Sequence, residues 1–144
     1  MSVATLHPVK DAYISSHFPD RNYGDSQELI IGTNQAPNIL RALLCFDLSQ
    51  IQAELISTVK LRFYVSGWDY EKDVMLKIQV VGDDWTEDRV TWKNSSGLRF
   101  GKFIAGQVIG AGAKSFDVTP FVQEKYATPD KRITFMLARA NEDT

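Results

Sequence analysis

With 144 residues the chain is long enough for one domain that hides about 68–70% of its unfolded surface, so its core can hold it without staples. A formal net charge of −2 speaks against a general nucleic-acid or anionic-membrane binder, which would carry a basic excess. The one cysteine, Cys45, excludes an internal disulfide, and no run approaches the ~18 consecutive apolar residues of a membrane span.

In chain order, Met1–Pro8 shows no basic region followed by an apolar core, so no secretory signal is expected in this chain. Ala12–Ile14 is a short apolar run, followed by a polar, turn-rich stretch through Glu28 and a second apolar run at Leu29–Ile31. Asn22-Tyr23-Gly24 marks a tight turn between them, and Thr33-Asn-Gln-Ala-Pro37 marks the next. Leu43–Phe46 predicts a strand with Ala42, Leu44, Phe46 and Leu48 toward the core. Alternation then sends Leu43 and Cys45 to the opposite face. Ser49 is a candidate cap for a helical turn from Ile51 to Glu54. Val59, Leu61, Phe63 and Val65 alternate with Lys60, Arg62 and Tyr64, the period-2 pattern of a half-buried strand. Val74, Leu76, Ile78 and Val80 repeat it against Met75, Lys77, Gln79 and Val81, as do Ile133, Phe135 and Leu137 near the end.

Gly82-Asp-Asp84, Asn94-Ser-Ser-Gly97 and Gly110-Ala-Gly112 read as turns, with a short apolar run at Phe103–Ile104. Thr119-Pro120 places a cap and then proline at the first helical position of a turn or two. About nine short strands separated by turn signals predict one all-β domain, an antiparallel sandwich or a jelly roll, with one or two short helical turns. Leu61, Phe63, Ile78, Phe46 and Phe135 are its expected core.

Catalytic constellations are weak. His7 and His17 have no nucleophile with flanking glycines to serve, and read as surface histidines. Asp83-Asp84, Glu87-Asp88 and Glu142-Asp143 are sequence neighbours, whereas paired carboxyls in glycoside hydrolysis face each other across a cleft, usually from different strands. No Cys/His cluster supports zinc. Asp20, Asn22, Asp25 and Glu28 supply the hard oxygen donors that calcium takes, against the alternative that Asn22 and Asp25 form Asx turns. Trp85 and Trp92 read as core side chains, while Trp68 and Tyr70, in a charged loop, are candidates for stacking on sugar rings.

The segments DAYI (Asp11–Ile14), FPDRNYGDSQELIIG (Phe18–Gly32), RALLCFDLSQI (Arg41–Ile51), VKLRFYV (Val59–Val65), DDWTEDRVTW (Asp83–Trp92) and FDVTPFV (Phe116–Val122) follow in order. From about Val3 to Ala138 this resembles the DNRLRE-type domain, which is related to disaggregatase repeats and to alginate-binding carbohydrate-binding modules. The resemblance implies an antiparallel β-sandwich of jelly-roll type, no intrinsic catalysis, and an appended or surface role on extracellular proteins. The chain is expected outside the cell or on a cell or particle surface, with no cofactor apart from the calcium that Asp20, Asn22 and Asp25 would take. The polar stretch after Ile14 then becomes the family's strand–loop–strand entry.

Two departures suggest assembly. Cys45 stands where the family carries a polar or basic residue, and with Leu43 calls for another segment, another subunit or a hydrophobic patch to account for it; the family also runs on to a further strand past Thr144, leaving an expected open sheet edge. A polyuronate ligand needs a basic groove. Lys60, Arg62 and Lys77 on strands taken as neighbours, with Arg41, Tyr64 and Trp68, are the expected ligand-binding residues. Two readings stand: a carbohydrate-binding module with a polysaccharide partner, or a structural subunit of a fibre, appendage or phage particle, joined to its own copies through Leu43, Cys45 and sheet edges.

Overall fold

The computed structural model describes residues 4–34, 38–52, 56–66, 74–108 and 110–140. Two antiparallel sheets face each other, as alternation predicts. The larger has the order β1 (Lys10–Ser15), β3 (Asn38–Asp47), β8 (Arg132–Arg139), β5 (Val74–Val81), β6 (Phe100–Val108), with β2 (Gly32–Asn34) hairpinned onto β3. The smaller pairs β4 (Lys60–Val65) with β7 (Gly112–Asp117). Leu29–Ile31, expected as a strand, is irregular chain that lays Leu29 and Ile31 against the core, and the ladder begins only at Gly32.

Between the sheets lies the main core. Ala42, Leu44, Ile78, Ile133, Phe135 and Leu137 point inward from the large sheet, and Leu61 from the small one. Phe63 and Phe116 stack in parallel at 5.8 Å on the inner side of the small sheet. Gly106 lets them approach, because a Cβ there would lie 2.4 Å from the Phe116 ring. Phe46 and Phe63, expected in the core, pack against it but stay half-buried at its margins.

Helix is sparse. A 3-10 turn at Leu48–Gln50 is capped by Asp47, whose carboxylate accepts the Ser49 N–H at 2.9 Å. The expected cap was Ser49 itself, for a turn reaching Glu54, which lies outside the described residues; the turn instead starts at Leu48, so its cap is Asp47 and Ser49 lies inside it. In α2 (Thr119–Tyr126), Pro120 lies in the first turn as expected, but the Thr119 hydroxyl donates to Asp117 instead of capping. Val118 and Val122 carry that helix onto the core.

A second, smaller core lies on the outer face of the large sheet. Ala12, Ile14, Leu43, Cys45 and Met136 are covered there by residues 82–98, which contribute Trp85, Val90 and Leu98. This cover includes one four-residue helix, α1 (Trp92–Ser95), overlapping the turn expected at Asn94–Gly97. Its start carries a capping box: Thr91 and Asn94 each accept the other's backbone N–H. Lys10 anchors the near end by donating to the carbonyls of Asp83 and Trp85. Trp85 donates its indole N–H to Thr134 at 3.1 Å in the buried interior.

Candidate functional site

The cover stops partway across the sheet. Leu43 on β3 pairs with Met136 on β8, Met136 with Gln79 on β5, and Gln79 with Phe103 on β6. The first two side chains of that row are buried, whereas Phe103 is 57% exposed. Two residues along, Arg41 and Lys77 continue the face from β3 and β5, with the buried, small Ala138 between them on β8. Two strand spacings put their backbones about 10 Å apart. The cover is thus a wall, and the β5–β6 half of the sheet an open floor.

Arg41 and Lys77 each lie against a ring. The Arg41 guanidinium sits 4.4 Å from the Trp92 centroid at the wall, and Lys77 Nζ sits 5.5 Å from that of Phe103 on the floor. Cation–π attraction of about 0.5–1 kcal/mol at exposed sites orients both side chains. Met75 adds apolar surface beside Lys77, and Gln79 donates to the Gly101 carbonyl at 2.9 Å, keeping its own oxygen as an acceptor. Beyond the β1 edge, Arg21 lies over both Phe18 and Tyr23, at 5.4 and 5.8 Å. Tyr23 in turn stacks on Tyr13 at 4.3 Å. His17, Phe18, Pro19, Asp20 and Arg21 line a shallow, open groove there.

The entry loop is bolted to the wall by Asn22. Its amide donates to the carbonyls of Glu87 at 2.9 Å and Val90 at 2.8 Å, while its oxygen accepts the Gly24 N–H at 3.0 Å. Lys93 N–H adds a bond to the Pro19 carbonyl. Asn22 therefore forms the Asx turn that was the alternative to a calcium ligand. Among the described residues no three His, Cys, Asp or Glu side chains are grouped to hold a metal ion, so Asp20, Asp25 and Glu28 do not converge around it.

The expected binding groove is not one surface. Arg41 and Lys77 share the outer face of the large sheet. Lys60, Arg62 and Tyr64 project from the outer face of the small sheet, on the opposite side of the sandwich. β4 and β5 are consecutive in sequence but belong to different sheets, so outward residues on the two strands point apart. Trp68 lies outside the described residues. Trp85 is buried as expected, but Trp92 is only half-buried and carries Arg41. Phe103, Arg21 and Phe18 were missed; the only sequence signal for Phe103 was its place in an apolar run with one residue facing each way.

Leu43 and Cys45 form no assembly surface. Both have zero exposure beneath the cover, so the cover comes from within the chain. Burial is also the main reason the Cys45 thiol is pushed up in pKa.

An antiparallel sandwich offering rings, cations and amide groups on an open sheet face has the character of a carbohydrate-binding module. The chain belongs to carbohydrate-binding module family 96, whose profile matches residues 2–144. No curated protein matches it. Among the described residues no helix is long and apolar enough to cross a membrane.

Proposed function

We propose that the chain is a non-catalytic module that binds an acidic polysaccharide of the polyuronate kind, outside the cell, along the outer face of the six-stranded sheet. The observation that carries this reading is the pairing of two cations with two aromatic rings, Arg41 with Trp92 and Lys77 with Phe103, on one open face. A pyranose presents apolar C–H groups to a ring's negative π face. A uronate adds a carboxylate that guanidinium and ammonium groups bind through charge-assisted hydrogen bonds. The resemblance to alginate-binding modules supports the same ligand class.

Retention on a polyuronate gel, compared with a neutral glucan gel, tests it. Retention on the uronate should weaken as salt rises, because exposed charges are screened within about 8–10 Å at physiological ionic strength. Equal retention on both gels, insensitive to salt, would contradict the acidic ligand.

A further inference from the structure

We infer that the outer face of the small sheet is a second binding site for acidic polysaccharide, so that one module holds two chain segments on opposite sides. The inference rests on the function proposed above and extends it to a face that the Arg41–Lys77 site does not touch.

Lys60, Arg62 and Tyr64 alternate along β4 and all face outward. At about 3.4 Å per residue they stand roughly 6.8 Å apart, in a row about 14 Å long. Their partners on β7 are Asp117, Ser115 and Ala113. Ser115 and Ala113 are small, so Arg62 and Tyr64 rise above the neighbouring strand, and Tyr64 is 74% exposed. Directly beneath, Leu61 is buried and Phe63 stacks on Phe116, which gives the row a packed backing.

The polar groups of the row are available. Among the described residues, Lys60, Arg62 and Tyr64 make no side-chain hydrogen bond and no ion pair. Among the described residues the one acid of the face is Asp117, and it is bonded to Thr119. It accepts the Thr119 hydroxyl at 2.5 Å and the Thr119 N–H at 2.9 Å. Those bonds hold its carboxyl below the usual range, with Lys60 adding a smaller pull. Two cations and a bare phenol ring in line, with the Asp117 carboxylate turned to the start of α2, complement an anionic sugar chain. They do not complement a second copy of the same face, which would bring like charges together.

Binding sites on opposite sides cannot serve one short oligomer at once, so stoichiometry distinguishes them. Titrating an oligogalacturonate into the protein in a calorimeter should give two equivalents. Arg62→Ala with Tyr64→Ala should reduce that to one, as should Lys77→Ala with Phe103→Ala, and the four changes together should abolish binding. All four side chains are at least partly exposed, and unchanged circular dichroism would confirm that each variant folds. Polygalacturonate mixed with the parent should become turbid through cross-linking, and either double variant should stay clear.

One equivalent in the parent, lost entirely on changing Lys77 and Phe103, would overturn the second site while leaving the proposed function standing. One equivalent lost only on changing Arg62 and Tyr64 would overturn both the two-site arrangement and the placement on the large sheet. Doubling of molar mass without glycan, reversed by Tyr64→Ala, would show the face to be a self-contact and overturn the inference.

Discussion

The Arg41 guanidinium lies 4.4 Å from the centroid of the Trp92 ring, joining a strand of the large sheet to the segment that half covers it. A planar guanidinium stacks on indole and offers a fork of donors at its rim, which a compact ammonium cannot imitate. Arg41→Lys should therefore weaken polyuronate binding about 5- to 30-fold, the range set by losing about 1–2 kcal/mol of stacked, charge-assisted contact. Isothermal titration checks the affinity, and a melting temperature shifted by only a few degrees would separate this effect from unfolding.

The entry loop and the wall meet without clearance at Gly24. A Cβ there would lie 1.8 Å from the Glu87 carbonyl oxygen, so Gly24→Ala must push the loop off the wall. We expect a loss of about 1–3 kcal/mol in denaturant unfolding, in the range of overpacked sites. Arg21 should move with the loop, so the Tyr13–Tyr23 stack should loosen in parallel, which aromatic side-chain resonances would report.

Cys45 reports on the cover. With zero exposure beneath Trp85 and its neighbours, it should resist an aromatic disulfide reagent in the native protein and react fully once unfolded. Trp85→Phe removes the indole donor to Thr134 and should cost about 1–2 kcal/mol, raising the native-state reaction rate accordingly. Rapid, stoichiometric labelling of the native parent would contradict an internal cover.

Carboxylates set the acid limb of stability. Asp47, bonded by the hydroxyl and N–H of Ser49, and Asp130, bonded by the Arg132 N–H, are held below the usual value near 3.8. Their contribution is present above that value and is lost as pH falls through the lower folded-state values. Asp11 has the opposite sign: burial, and then the nearby Glu87, raise it. Its favourable contribution exists at low pH and is lost as pH rises through the raised value, so Asp11→Asn should stabilise the protein at neutral pH. That gain should shrink toward acid, which thermal melts across pH 3–7 would follow. All these groups are largely solvated, so the effects are small.

Much of the fold was readable because alternation is a local signal. The inward sides of β4, β5 and β8 were identified residue by residue, and Ile78 and Phe135 are buried where expected. Sheet membership was not readable: nothing in the alternation of Lys60–Val65 or Val74–Val81 says whether the chain between them turns back or crosses over. The two strands belong to different sheets, and the expected groove divides into two faces. The wall was equally hidden. Trp85, Val90 and Leu98 follow neither period 2 nor 3.6, because each fills its own gap above the sheet. Leu43 and Cys45 gave the one clue to it, since an apolar pair facing away from the main core needs a cover.

Core position also governs the cost of truncation. Phe135 is 2% exposed at the centre of the large sheet, so Phe135→Ala should cost about 3–5 kcal/mol. Phe63 is half-buried and should cost less, by the area it leaves in water. Urea unfolding of the two variants gives the comparison.

The placement of the ligand on the large sheet is tested most directly by a two-dimensional amide and side-chain NMR titration with an oligogalacturonate. Shifts should appear at Lys77, Gln79, Phe103 and Ala105 on the floor and at Arg41 and the Trp92 indole on the wall, besides those at Arg62 and Tyr64 on the small sheet, with the buried Leu43, Cys45 and Ile78 unmoved. Saturable binding that leaves Lys77, Phe103 and Trp92 unshifted would contradict it.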